Sequence, residues 1–399
     1  MKTNFDIEYN RKGTYCTQWD YVEDRFGEKD LLPFSISDTD FKVPDPVLEA
    51  LKKRLEHGIY GYTRWNHDAF KGAIAEWYRK RYDYEIDTDQ IVYSHSVIYT
   101  VAKIMELVTE PGDCVVTQTP AYDAFYKVIN DNHRVLSDNK LVLVNGRFEI
   151  DFEDLERRLK EPKTKLLLLC SPHNPTGRIW SMEELKKIVA LCRENQVFLI
   201  SDEIHMDVTR KGLSPYPILK AAEGYDRLCL CTSASKTFNI PGLIGSYAMI
   251  PDQKLREEYL VTLKNRDGLS STSIMGIEAT IAAYRECDDW VCELNDYLDQ
   301  NLAYISEYCR TYLPGIRFEV PEATYLAWLD CSAYPFTMDQ LQDILVHRYK
   351  VAIIRGSIYG SDYDMYLRFN AGCPLSKIKK GLEGLKNAVN DLLNTSAGK

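Results

Sequence analysis

Hydrophobic positions along this chain fall into two patterns that alternate through its middle. Short unbroken apolar runs occupy residues 90–93, 114–117, 165–170, 197–200, 228–232 and 245–250. A strand with one wet face alternates apolar and polar side chains, whereas a strand buried on both faces reads as a continuous run. These runs therefore predict a mostly parallel sheet covered by helices. Between them the apolar spacing becomes helical, notably over 97–108 and 182–195. Two more helices are expected earlier. One covers 47–56, with Val47, Leu48, Leu51 and Leu55 on one face behind Pro44 and Pro46, and the other covers 68–82.

After about residue 285 the texture changes. Long helices over 290–312 and 337–349 combine with strands over 316–320, 325–330, 351–354 and 365–370. The fold class expected is α/β: a large domain over 46–285 with a mostly parallel sheet between helices, then a smaller α+β domain over 286–399. Residues 1–45 are too few for a domain and are expected to pack with the small one. The polar end, Asn394 to Lys399, is expected to fray.

Composition narrows the class. Apolar residues make up 45% and charged residues 27%, as in ordinary globular proteins. A formal net charge of −10 argues against nucleic acid or an anionic membrane as the main partner. The first residues contain no signal-peptide core, and no run of 18 apolar residues occurs, so a cytoplasmic protein without a membrane span is expected. The 11 cysteines read as reduced thiols, with Cys114, Cys170, Cys229 and Cys231 in or beside apolar runs. Cys-x-x-Cys and His-x-x-x-His pairs are absent, and no metal site is expected.

Candidate chemistry gathers where three predicted strands end. Residues 165–170 run into Ser171-Pro-His-Asn-Pro-Thr-Gly177, 197–200 into Ser201-Asp-Glu-Ile-His205, and 228–232 into Ser233-Ala-Ser-Lys-Thr237. Ligands of open α/β sheets bind beyond the carboxyl ends of the strands, so Asn174, Asp202 and Lys236 would face one crevice. Each motif alone has a plainer reading: a turn for the first, a helix cap for the second, chance for the third. Together they suit a pyridine-based electron sink. Asp202 would keep a ring nitrogen protonated, and Asn174 would donate to a phenolic oxygen. Lys236 would supply the amine of an imine and, once displaced, move a Cα proton. Ser233 and Ser235, with backbone N–H groups at a nearby helix start, would hold a phosphate.

At these residues the chain resembles fold-type I pyridoxal 5'-phosphate enzymes of the aminotransferase class I/II superfamily, and within it the MalY/PatB group of cystathionine β-lyase-like C–S lyases. The resemblance runs nearly the whole length. Further matching segments include Thr17-Gln-Trp-Asp20, Tyr60-Gly-Tyr-Thr-Arg-Trp65, Thr119-Pro-Ala-Tyr-Asp-Ala-Phe125, Lys264-Asn-Arg-Asp-Gly-Leu-Ser-Ser271 and Leu367-Arg-Phe-Asn-Ala-Gly-Cys-Pro374. It implies that Lys236 carries the cofactor as a Schiff base and that Tyr122 stacks on its ring. Val97 and Ile98 would open the helix facing the phosphate, and His205 would lie on the cofactor's oxygen side. Arg368 would take the substrate's α-carboxylate, with Asn174 beside it. Tyr62 would reach the phosphate of a neighbouring subunit, which implies a homodimer with shared active sites.

Two positions depart from wider patterns. Ile244 stands where many aminotransferases carry a phosphate-binding Arg, and Ser35-Ile-Ser-Asp38 replaces a Trp-Val-Ala-Asp-like run, as in MalY-like members. The reaction implied is β-elimination on sulfur-containing amino acids: L-cystathionine to homocysteine, pyruvate and ammonia. An aminotransferase would use the same lysine, aspartate and asparagine, so the motifs alone leave both open. A reading from another class is a regulatory protein that binds a partner, and no residues identify such a surface.

Overall fold

The computed structural model describes residues 2–397, which form two compact units. The larger comprises Val43–Asn174 and Arg178–Val291. Its sheet contains β1 (Ile91–Ser94), β2 (Cys114–Thr119), β3 (Val135–Lys140), β4 (Thr164–Cys170), β5 (Phe198–Asp202), β6 (Leu228–Thr232) and β7 (Ser246–Met249), in spatial order β1-β7-β6-β5-β4-β2-β3. The strands β6, β5, β4, β2 and β3 pair in parallel, and β7 runs antiparallel to both of its neighbours. Leu166 to Leu169 of β4 are fully buried, the two-faced burial that the unbroken runs announce.

Helices α1 (Asp68–Tyr82), α2 (Val97–Val108), α3 (Asp123–Asp131) and α4 (Met182–Glu194) belong to this unit. Val101, Ile104 and Met105 of α2 pack with Leu166, Leu168, Ile200 and Cys229 of the sheet. Ser96 caps α2 by accepting the Tyr99 N–H, and Ser181 with Glu184 forms a capping box that starts α4. The edge strand β3 was not among the expected runs. Val135-Leu-Ser-Asp-Asn-Lys140 has two apolar residues, and an edge needs no more.

The smaller unit comprises the N-terminal segment to Lys42, Pro175–Gly177 and the chain from Cys292 onward. Its antiparallel sheet has the order β8 (Leu326–Asp330), β10 (Tyr366–Asn370), β9 (Ile354–Arg355). Helices α5 (Asp288–Tyr312), from Cys292 on, and α6 (Leu375–Ala397) cover it, burying Leu302, Ile305, Leu382, Leu385 and Val389 with Leu329, Leu367 and Phe369. Leu32–Pro33 lies parallel to Val351–Ala352.

Four expectations need correction here. Residues 316–320 form no strand: only Arg317 bridges to Asp330, and Pro321 ends the segment. The helix expected over 337–349 is α-helical only over Met338–Asp343, then widens into a π turn over Ile344–Arg348 that buries the adjacent Leu345 and Val346 together. Residues 351–354 split into Val351–Ala352 and Ile354–Arg355, each paired with a different strand. The end expected to fray from Asn394 continues α6 to Ala397, and residues 398–399 lie outside the described ones. Among the described residues no helix is long and apolar enough to cross a membrane, and no acid, thiol and imidazole cluster suits a metal. All 11 cysteines are free.

Candidate active site

Three adjacent parallel strands of the larger unit end in the three polar motifs. β4 leads to Asn174, β5 ends on Asp202 and leads to His205, and β6 leads to the turn bearing Lys236. Two more strands deliver the remaining residues to the same edge. β1 is followed by Ser96 and the first residues of α2, Val97 and Ile98, and β2 by Tyr122 at the start of α3.

Asp202 is the electrostatic centre. It is 4% exposed, and in sheet register it lies between Cys170 of β4 and Cys231 of β6. In-register neighbours of a parallel sheet point to one face, so two thiols wall the carboxylate. Both thiols are pushed up by burial and then by the Asp202 charge, so they stay neutral. Burial raises Asp202 itself to about 7, against the Ile204 N–H at 3.2 Å and the charge of Lys236, which pull it down. A buried acid whose value stays raised despite these two partners would be stabilised in its charged form by a further positive charge beside it.

Asn174 (4% exposed) and His205 (2%), which follow β4 and β5, are also buried. The glycine that closes the Asn174 turn is required. Gly177 has φ +69°, and a Cβ there would meet Pro321 Cβ at 2.4 Å and the Ala323 carbonyl at 2.5 Å. Lys236 is half-buried in a helical turn closed by Phe238 N–H to Ala234 (3.0 Å) and Ile240 N–H to Ser235 (3.1 Å). The Ser233 hydroxyl donates to the Gly245 carbonyl at 2.6 Å and accepts the Ser235 N–H at 3.1 Å. Its one proton is thereby committed to shaping the loop, and in this arrangement Ser235 and the N–H groups of Val97 and Ile98 are the better anion donors. Tyr122 is half-buried, edge-on to Phe125 at 5.8 Å. Ile244 takes φ +53°, a costly backbone for a β-branched residue. Its carbonyl rests where a Cβ on Gly276 would come within 2.3 Å.

Two predicted residues lie on other elements. Tyr62 is 100% exposed, in a segment with exposed Leu55, Ile59 and Tyr60. Arg368 belongs to the smaller unit, on β10 opposite Trp328. It is 3% exposed, donates to the Ser35 carbonyl at 2.9 Å and lies 4.8 Å from the Tyr359 ring centre. The segment that carries Ser35 is held throughout. Asn370 donates to the carbonyls of Ile36 (2.6 Å) and Asp38 (2.7 Å), Tyr325 to that of Ser37 (2.8 Å), and Gln18 accepts the Ile36 N–H (3.1 Å).

Sequence reasoning gave no role to Glu203, which lies within the quoted motif. It is fully buried and raised to about 8 by burial. Its Oε1 accepts from Ser201 (2.9 Å) and the Ile218 N–H (2.8 Å). Nothing in the pattern marked it, because a strand-end acid looks the same whether it turns inward or out.

A buried acid, an amine within its electrostatic reach and a helix start at Val97 suit, by their chemistry, a flat cationic ring that carries a phosphate and a carbonyl. The comparisons agree with that fit. Residues 29–385 match the family model described as aminotransferase class I and II. The chain is 44% identical to Protein MalY of Escherichia coli (strain K12), over 97% of this chain and 98% of that one. It is 38% identical to cystathionine beta-lyase PatB of Bacillus subtilis (strain 168), over 97% and 100%. The fold superposes on the PLP-bound C-S lyase from Staphylococcus hominis with a TM-score of 0.89 and 32% identity, covering 97% and 99%.

Proposed function

The chain belongs to the aminotransferase class I and II family, and from that premise we propose that it is a pyridoxal-phosphate-dependent carbon–sulfur lyase of the MalY/PatB kind. It cleaves the Cβ–S bond of L-cystathionine and other cysteine S-conjugates by β-elimination. With one water consumed, cystathionine gives homocysteine, pyruvate and ammonia. The observation that carries the reading is Asp202, a strand-end carboxylate buried without full compensation and within electrostatic reach of Lys236.

When bound, the cofactor supplies an electron sink for a substrate carbanion. The chain's own residues do the rest. Asp202 holds a positive charge at the ring nitrogen, and Asn174 and His205 serve the oxygen side. Tyr122 offers a ring face, and Ser235 with the start of α2 at Val97 and Ile98 binds the phosphate. Lys236 holds the cofactor at rest; its Nζ, once freed by substrate, takes the Cα proton. Arg368 takes the α-carboxylate, since a planar guanidinium matches that group with two parallel bonds.

Tyr62 is best accounted for by a homodimer. A tyrosine with no cover from its own chain, among exposed Leu55, Ile59 and Tyr60, suits a surface that closes on a second copy and completes its phosphate site. The free cysteines suit a reducing, cytoplasmic setting.

The test is pyruvate release from L-cystathionine by purified protein, with no keto acid present, for wild type and Lys236→Ala. Many turnovers are expected from the wild type and none from the variant. If an amino group moves only when a keto acid is added, the protein is an aminotransferase and the lyase reading fails.

A further inference from the structure

Five residues past Asp202 in the same loop, Asp207 collects donors from two elements. Its Oδ1 accepts from Trp77 Nε1 at 3.0 Å and from the Tyr82 hydroxyl, both on α1. Arg81 of that helix places Nε 3.4 Å away and spans to Asp288 at 2.7 Å. The other oxygen, Oδ2, accepts from Thr237 Oγ1 at 2.9 Å, and Thr237 directly follows Lys236. Burial and the Asp207 charge push the Tyr82 hydroxyl well up, so it remains a proton donor.

The surroundings are dry and stiff. Asp207 is 6% exposed and Thr237 1%. Trp77 stacks on Tyr284 at 4.8 Å and meets Phe238 edge-on at 5.8 Å, while Phe238 stacks on Trp290 at 5.7 Å. The turn carrying Lys236 is therefore held from its next two residues, one by a hydrogen bond to a carboxylate and one by aromatic packing. One end of that carboxylate's loop is Asp202 itself.

We propose that Asp207 is a positioning residue: through Thr237 it fixes the Lys236 turn relative to the loop bearing Asp202 and to α1. The inference rests on the reading of Lys236 as the reactive amine. That amine must serve in two places, bonded to the cofactor and then free to move a proton, and both need placement to a fraction of an ångström. Removing the Thr237 hydroxyl frees the turn while leaving every reactive group chemically intact.

The deciding variants are Thr237→Val, which deletes the hydroxyl, Thr237→Ser, which keeps it, and Asp207→Asn. In Thr237→Val, kcat is expected to fall about 10- to 100-fold with KM changed less than about threefold. The pH midpoint of the bound cofactor's visible absorbance should shift, and Thr237→Ser should restore both. Asp207→Asn should lower that midpoint, because a negative charge that favours a protonated nitrogen is lost. In full-length protein without cofactor, the Phe238 and Ile240 amides should exchange hydrogen about tenfold faster in Thr237→Val than in wild type or Thr237→Ser. Wild-type kcat, midpoint and exchange in Thr237→Val would overturn the proposal, even if its melting temperature fell. Should Asp207→Asn not fold, the two Thr237 variants decide alone. A colourless wild type would sink the cofactor reading instead, and the exchange measurement would still judge the clamp.

Discussion

Asp202 of the larger unit and Asp40 of the smaller are both buried carboxylates, 4% and 5% exposed, and their surroundings treat them oppositely. Burial works against the charge on each. At Asp40, Lys377 at 2.6 Å and Arg11 at 2.8 Å, joined by Trp19 Nε1 at 3.1 Å, outweigh burial and hold the carboxyl below the usual carboxylate range. Asp202 has one backbone N–H and the charge of Lys236, and stays raised to about 7. Asp40 is satisfied by its own chain and reads as architecture. Asp202 is only partly offset by its partners, and a buried acid of that kind at a strand end is what the proposed cofactor site calls for.

The comparison breaks most sharply under isosteric neutralisation. Asp202→Asn should cost about a thousandfold in lyase turnover, the scale of losing one preorganised electrostatic group. The same change should raise the melting temperature of the cofactor-free protein, since it removes a charge that burial penalises. A less stable cofactor-free variant would show that Asp202 is compensated in a way its contacts do not reveal. Asp40→Asn should do the reverse, destabilising the protein by about 3–5 kcal/mol because Lys377 and Arg11 lose a buried partner. Denaturant melts with and without cofactor would show that loss in both states.

A pH series sharpens the contrast further. In the fold Asp202 keeps its proton to about 7 and Glu203 to about 8, against ordinary values of 3.8 and 4.5. Between those limits the unfolded chain holds fewer protons, so the stability of cofactor-free protein should fall as pH rises from about 4 to about 8. Asp40 contributes the opposite arm: its lowered value gives stability present above 3.8 and lost as pH falls through its folded value. The smallest effect should come from Glu203→Gln. A side chain already neutral near pH 7 should tolerate the amide with turnover within about twofold, and the cofactor-free protein should lose part of its alkaline decline. A large activity loss would mean that Glu203 works as a charge.

The placement of the candidate residues was legible because they follow strands that announce themselves. Asn174, Asp202 and Lys236 each lie just beyond an unbroken apolar run, and β4, β5 and β6 are in fact neighbours. Val97–Val108 and Asp68–Tyr82 emerged as helices with the expected bounds. Ser233 shows the limit: a serine in a phosphate-like motif turned out to bond its own loop, and hydroxyl direction is not written in residue type. The Thr337–Tyr349 region shows another, since a helical period cannot say that two adjacent residues will both be buried through a π turn.

The sequence by itself determined which residue types stand at which strand ends, because apolar runs and turn residues act locally and a carboxylate, an amide and an amine have fixed chemistry. Only the tertiary structure decided how each would be charged and held. The thiols flanking Asp202 come from strands 32 and 29 residues away in the chain, and the donors on Asp207 come from residues 77, 82 and 237. Dielectric and hydrogen-bond satisfaction are sums over neighbours in space, and those neighbours are fixed only when the chain has folded.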